Sequence, residues 1–326
     1  MRTIGRFLGR LLLIGIFACF ALYVFGPYEQ ISLSPTVTEA DVTGDLDAYF
    51  AQQEAAFDDL TPGVEKRIVW FESPGVRTEL AVVYVHGFSA TSEEIRPVPD
   101  QVAQALEANL IYTRLEGHGR DGAALDAASV QGWANDVAEA MIVARRAADK
   151  VVVISTSTGG TMIAGMVDRP DVMQNVTGLI FVSPNFGINN PLASLLTLPA
   201  ARQWVPLLAG AERSFEPLSD AQETYWTTRY PSTAVLQMAA LVKRVFDKDV
   251  SSINIPALFW FSDADQVVDP AKTHDFAQRW GDAATVAVQT LGVDADPSAH
   301  VIAGDIVSPD ETAKAVDVFV QFINNL

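Results

Sequence analysis

Ser157 stands where the β-branched run Val151-Val152-Val153-Ile154 gives way to Ser155-Thr156-Ser157-Thr158-Gly159-Gly160 and then to a helical pattern. A serine on a sharp strand-to-helix turn lifts its hydroxyl clear of the backbone, and such a turn needs small residues two positions before and two after it. Ser155 and Gly159 fill those positions, with Ser155 in the place where glycine is usual. Ser155 is itself the poorer nucleophile, because its own second neighbour downstream is Ser157 rather than glycine. The hydroxyl becomes a nucleophile when a base takes its proton and an acid holds that base in the right tautomer. In the chain order Ser…Asp…His the partners are Asp265, in Ser262-Asp263-Ala264-Asp265-Gln266-Val267-Val268, and His300, in Pro297-Ser298-Ala299-His300-Val301. Asp263 is the rival acid. His118 and His274 are the rival bases, the first ahead of the serine in Gly117-His118-Gly119 and the second in a helical stretch beside Asp275. A third group completes acyl-transfer chemistry: the run Ala81-Val82-Val83-Tyr84-Val85 ends in His86-Gly87-Phe88. Charge developing on a tetrahedral intermediate calls for backbone N–H donors, and the Phe88 and Thr158 amides are in the places to give them. His86 and Gly87 then shape the loop, with no acid–base work for His86.

These groups need a scaffold that brings strand ends to one edge. From residue 67 onward β-branched runs alternate with helical patterns, which predicts an α/β fold with a mostly parallel sheet and helices on both faces. Strands are expected at 67–71, 80–86, 109–115, 150–155, 177–183, 257–262 and 285–291, and helices near 92–107, 130–148, 158–168, 270–280 and 310–325. Thr91-Ser92-Glu93-Glu94 has the form of a capping box for the first of these helices. Asp265 and His300 follow consecutive strands, at the carboxyl edge where open α/β sheets bind ligands. The stretch 187–254 is too long for a simple crossover; it holds Trp204, Phe215, Tyr225, Trp226 and Tyr230 and reads as a lid-like insertion.

The N-terminus is different in kind. Leu11–Phe25 is uninterrupted apolar sequence behind Arg2, Arg6 and Arg10, with Glu29, Glu39 and Asp41 after it. With its flanks it approaches the roughly 20 residues that cross a bilayer. The arginines predict a cytoplasmic N-terminus with the rest exported, periplasmic or extracellular in a bacterium. A cleaved signal peptide is the competing reading, but Val24-Phe25-Gly26-Pro27 is bulky for a cleavage site. The expected division is an anchor over 1–28, a linker and docking helix over 29–66, and the main domain over 67–326. Leu46, Tyr49, Phe50, Gln53 and Phe57 fall at the helical spacing of that docking helix.

Net charge is −18, and about −21 once the three arginines of the first 28 residues are set aside. A body so acidic repels nucleic acid. One cysteine, Cys19, rules out a disulfide framework and a cysteine-rich zinc site, and the four histidines lack metal-binding spacing. No metal or cofactor is expected, and nothing in the sequence speaks to oligomeric state.

Taken in order, His86-Gly87-Phe88, Arg114-Leu115-Glu116-Gly117-His118-Gly119, Trp133-x-x-Asp136, the S-x-S-x-G-G turn, Asp265-Gln266-Val267-Val268, His300-Val301, Tyr230-Pro231 and Ile255-Pro256 resemble the monoacylglycerol lipase/carboxylesterase branch of the α/β-hydrolase superfamily. The resemblance covers 67–326. It implies that Ser157, Asp265 and His300 form the triad, that Phe88 and Thr158 form the oxyanion hole, and that 187–254 is a cap over the acyl pocket. The function implied is a membrane-anchored hydrolase of small-molecule or lipid-like carboxylic esters. The alternatives are amide, thioester or carbon–carbon cleavage by the same triad, or a tethered binding or scaffold protein without turnover.

Overall fold

The computed structural model describes residues 2–326. Seven strands form the central sheet: β1 (Arg67–Val69), β2 (Thr78–Val85), β3 (Asn109–Tyr112), β4 (Ala148–Thr156), β5 (Val176–Val182) and, after a small hairpin of β6 (Glu212–Ser214) and β7 (Arg229–Pro231), β8 (Ala257–Phe261) and β9 (Ala284–Val288). Their order is β1-β3-β2-β4-β5-β8-β9, parallel throughout except for the antiparallel edge strand β1. The seven expected strands are all present; the central ones, covered on both faces, must be apolar on both faces and so read as unbroken runs, whereas the edge strands β1 and β9 are only partly covered.

Alternation along those runs divides the core in two. Ala81, Val83, Val85, Val151 and Val153 point to one side, where they meet Trp133, Val137 and Met141 of the helix Val130–Ala147. Val82, Tyr84, Val152 and Ile154 point to the other, where Phe319 of the helix Thr312–Asn324 packs edge-on to Trp260 at 5.5 Å. The helix Val130–Ala147 starts where Ser129 accepts the Gly132 N–H at 3.0 Å, satisfying a donor its first turn leaves free.

The expected capping box does not open a helix. The helix begins at Val98, after Pro97, and Glu94 instead turns inward and is buried. Thr91 Oγ1 accepts from the Glu93 amide at 3.3 Å and its carbonyl from the Glu94 amide at 3.1 Å, so the segment is a turn.

The helix Leu46–Glu54 buries Leu46, Tyr49 and Phe50, but its fourth buried residue is Glu54 rather than Gln53. Glu54 pairs with Arg114 through two hydrogen bonds of 2.7 and 2.8 Å, both partners withdrawn from solvent. Phe57 lies beyond the helix, under the guanidinium groups of Arg114 and Arg120. Residues 26–44 form neither helix nor strand, yet they run along the domain as a strap. Ile31, Leu33 and Val37 pack on the core, Gln131 Nε2 donates to Ser34 O at 2.6 Å, and Thr36 N donates to Asn135 Oδ1 at 2.7 Å.

Within 187–254 lie the helices Ala201–Ala209 and Asp220–Tyr225 and the β6–β7 hairpin, followed by the helix Val235–Phe246. That last helix buries Leu241 and Val245 in the same core as Met162 and Ile163 of the helix Thr158–Met166. Ahead of all this stands the helix Arg2–Phe25, whose Arg6–Phe25 stretch has a mean hydropathy of 2.2 and has no residue buried in the domain. It is long and apolar enough to cross a membrane.

Candidate active site

Strand β4 delivers Ser157 into a strained turn, with φ 50° and ψ −117°, a region L-residues enter only when the surroundings hold them there. Two contacts impose it: the Ser157 N–H donates to Val182 O of β5 at 2.9 Å, and Ser157 O accepts from Asn185 N at 3.1 Å. Gly159 has no alternative, since a Cβ there would lie 2.3 Å from Val85 O and 2.6 Å from His86 O. Ser155 replaces the usual glycine without strain. Its hydroxyl is absorbed by a hydrogen bond to Ile180 O at 3.2 Å on the neighbouring strand.

Around this turn the structure brings together the three residues singled out by order. His300 Nε2 is 3.1 Å from Ser157 Oγ, and His300 Nδ1 is 2.8 Å from Asp265 Oδ2. All three are buried, at 6% exposure for Ser157, 8% for His300 and 3% for Asp265, so their interactions are little screened by water. Burial alone would suppress the charged imidazole. The charge and hydrogen bond of Asp265, aided by the charges of Glu94 and Asp296, outweigh it and raise His300 above its ordinary value. A proton can pass from hydroxyl to ring while the carboxylate steadies the imidazolium.

The loops are fixed from below. Asp265 Oδ1 accepts the amides of Val267 and Val268 at 2.8 and 2.9 Å, which leaves Oδ2 for the imidazole. Asn189 Nδ2 donates to Asp265 O at 2.9 Å. Asp296, which the sequence reading passed over, accepts the backbone N–H groups of Ser298, His300 and Val301 at 2.9, 3.1 and 2.8 Å. This pins a turn in which Ala299 has a positive φ of 53°. An aspartate four residues before the histidine, followed by Pro-Ser, was the available signal.

The rivals lie elsewhere. Asp263 pairs with His274 at 2.8 Å on the exposed rim of the helix Pro270–Trp280, with both side chains substantially solvated. His118 is buried, with Nδ1 directed at Leu115 O and Glu116 O, and burial lowers it to about 4. His86 has Nδ1 on Gly87 O at 2.9 Å and takes the Leu115 amide on Nε2 at 3.1 Å, which assigns the proton to Nδ1. Burial, with His118 beside it, holds His86 well below its ordinary value, so it bridges two loops as a neutral ring.

Gly87 packs against the nucleophile: a Cβ on it would lie 3.1 Å from the Ser157 Cβ. That approach brings the Gly87–Phe88 peptide beside Ser157; Thr158 starts the following helix, where its N–H has no carbonyl a turn earlier to bond. The Phe88 ring meets His118 at 5.8 Å, Trp133 at 6.3 Å and Tyr230 of β7 at 5.6 Å, each edge-on. Thr227 N also donates to Ser89 O at 2.7 Å. The insertion therefore reaches the loop beside the nucleophile. Among the described residues no group of histidine, cysteine and acidic side chains is arranged to hold a metal.

Comparison with known proteins agrees with this geometry. The family model described as serine aminopeptidase, S33, matches residues 77–290. The chain is 24% identical over 198 residues, 59% of its own length and 72% of the relative's, to the thermostable monoacylglycerol lipase of Bacillus sp. strain H-257. A structure from the metagenome-derived lipolytic enzymes LipS and LipT superposes with a TM-score of 0.63 at 17% identity, covering 81% of this chain and 99% of that one. A soluble variant of the monoglyceride lipase from Saccharomyces cerevisiae, bound to a substrate analogue, gives 0.62 at 11% identity, over 80% and 90% of the two chains. At these identities the two structures attest the fold, a mostly parallel sheet flanked by helices. The chain belongs to the serine aminopeptidase S33 family, in the esterase/lipase-like branch of the α/β-hydrolase superfamily, and is a serine hydrolase.

Proposed function

We propose that this chain is a membrane-anchored carboxylic-ester hydrolase acting through an acyl-enzyme on Ser157. The observation that carries the reading is the continuous line from Asp265 Oδ2 through His300 to Ser157 Oγ, at 2.8 and 3.1 Å. Ser157 Oγ attacks the ester carbonyl while His300 Nε2 takes its proton. Negative charge collects on the carbonyl oxygen, facing the Phe88 and Thr158 amides. His300 then returns the proton to the departing alkoxide, the alcohol leaves, and the acyl group stays on Ser157. Water attacks next, giving its proton to His300, and collapse frees the acid and restores the serine.

The family's name also suggests an amide substrate, and the site offers a reason to prefer esters. An aminopeptidase must meet a substrate ammonium with a carboxylate. The buried acids around Ser157, namely Glu94, Asp265 and Asp296, are each engaged by donors of the chain itself. The curated relative is a monoacylglycerol lipase, which supports an acyl glycerol or similar lipid ester as the substrate class.

The exposed apolar stretch Leu11–Phe25, with Arg2, Arg6 and Arg10 before it and Glu29 after it, supports the anchor. The helix ends against the insertion: Ala200 N donates to Pro27 O at 2.7 Å, and Arg202 pairs with Glu29. An anchored chain would hold the insertion, with exposed Leu207 and Leu208, near the bilayer surface.

The test is a series of p-nitrophenyl esters of increasing acyl length beside the matching anilides and a monoacylglycerol, with wild type and Ser157→Ala. Ester turnover that Ser157→Ala abolishes is the expected result. Anilide turnover exceeding ester turnover would replace the ester reading with the amide one.

A further inference from the structure

Glu94 is a second acid at the site, outside the triad, and nothing in the acyl-transfer scheme accounts for it. It is 2% exposed, in a segment whose sequence reads as a helix cap. One oxygen, Oε2, accepts the Gly87 N–H at 2.7 Å and the Tyr84 hydroxyl at 2.9 Å. The Tyr84 hydroxyl lies a further 3.1 Å from Thr156 Oγ1, on the residue just before the nucleophile. The other oxygen faces the Gly87 Cα, where an added Cβ would come within 2.7 Å of it. The backbone of the same segment is locked to the loop beyond His300. Asp305 N donates to Arg96 O at 2.8 Å, and Gly304, with φ +95°, packs so close that a Cβ would lie 2.5 Å from Ile95 Cα and 3.1 Å from Glu94 O. The side chain thus ties the loop beside the nucleophile to Tyr84 of β2, while the backbone of its segment meets the loop beyond His300.

We propose that Glu94 is a positioning residue for the hydrolytic reaction: its carboxyl holds the Gly87–Phe88 peptide toward the developing oxyanion. The inference rests on the Ser157–His300–Asp265 reading. A backbone loop whose N–H must aim at a charge gains from a buried anchor one residue upstream, because a misplaced donor loses most of its electrostatic benefit. The titratable groups facing Glu94 are Tyr84 and His300; Arg96, two residues on, is turned to Glu93 and Asp100. Those facing His300 are Asp265, Glu94 and Asp296. Burial pushes Glu94 up to about 7, against the pull of the Gly87 and Tyr84 hydrogen bonds and of His300. Each of the two charges favours the charged form of the other. Protonating His300 favours an ionised Glu94, and an ionised Glu94 raises the pH at which His300 lets its proton go.

The experiment is the pH dependence of kcat/KM for the p-nitrophenyl ester the wild type hydrolyses fastest, using the detergent-solubilised full chain, with Glu94→Gln and Glu94→Ala. Glutamine keeps an acceptor for Gly87 and Tyr84 but carries no charge. It is expected to hold kcat on the alkaline plateau to within about threefold while moving the acid limb to lower pH. Alanine is expected to lower plateau kcat by about 10- to 100-fold, with KM changed by less than about threefold, and to move the acid limb as well. A residue that merely filled space would not move the limb in the isosteric Glu94→Gln chain. A folded Glu94→Ala chain whose plateau kcat stays within about threefold of wild type overturns the proposal and leaves the ester reading standing. A folded wild type that turns over no ester overturns both.

Discussion

The Asp296 carboxylate accepts the backbone N–H of His300 at 3.1 Å, so the turn that presents the base is built around a buried acid that never touches the nucleophile. Asp296 satisfies three backbone donors and the Ser298 hydroxyl in that turn. Removing it leaves those donors unpaired in a buried loop, at about 1–3 kcal/mol for each one that water cannot reach. Asp296→Ala is therefore expected to lower kcat by about 10- to 100-fold and to lower the melting temperature, with KM little altered. Kinetics together with thermal denaturation check this. Wild-type kcat in the variant would show that the turn needs no such anchor.

Asp265 and Asp263 make a paired comparison. Asp265→Asn keeps the shape of the side chain but ends its role in stabilising the imidazolium, and a drop in kcat of about 10⁴-fold is expected, as for a triad acid. Asp263→Asn disturbs only an exposed pair with His274 and is expected to stay within about twofold of wild type. Equal losses in the two variants would reopen the choice of acid.

The raised pKa of Glu94 also sets a pH dependence of stability. Its folded value of about 7 lies above the ordinary 4.5, so the folded state binds the proton more tightly than the unfolded one. Below the unfolded value both states are protonated and nothing is lost. Between there and the folded value stability falls as pH rises, and past it the loss is complete at about 3 kcal/mol. Glu94→Gln is expected to match wild type in urea denaturation near pH 4 and to be more stable than it near pH 8. Parallel stability curves for the two chains would contradict this.

The strap and the apolar helix are separable in function. A chain beginning at residue 26 is expected to be water-soluble and to keep its activity on a short p-nitrophenyl ester. One beginning at residue 45 loses Ile31, Leu33 and Val37 from the core and is expected to melt at clearly lower temperature. Carbonate extraction of membranes holding the full chain, compared with the chain from residue 26, reports on the anchor. Release of the full chain into the soluble fraction would count against it.

What the sequence made legible follows from what physics forces into a pattern. Val151–Ile154 and Ala81–Val85 read as strands because both faces of β4 and β2 are covered, and Ser157, Asp265 and His300 could be paired because chain order restricts which acid and base can meet the serine. Glu94 was misread because an acid three residues after a threonine looks the same whether it caps a helix or turns into the core. Asp296 was missed because its partners are backbone amides, which leave no mark on side-chain type. Residues 29–44 of the strap read as a linker because they dock through scattered apolar side chains and through polar contacts such as Gln131 to Ser34 O, without periodicity. The inner structure of 187–254 stayed hidden for a related reason. Its elements are short and are held by particular neighbours, as Tyr230 is by Phe88.

The central claim is that Ser157 is the nucleophile, activated by His300. The most direct measurement is reaction of the folded chain with a fluorophosphonate probe at pH 8, followed by mass mapping of the labelled peptide, for wild type, Ser157→Ala and His300→Ala. One phosphonyl adduct on Ser157 is expected in the wild type, none in Ser157→Ala, and labelling slowed by about 10³-fold or more in His300→Ala. An adduct on another serine, or undiminished labelling of Ser157→Ala, would contradict the assignment.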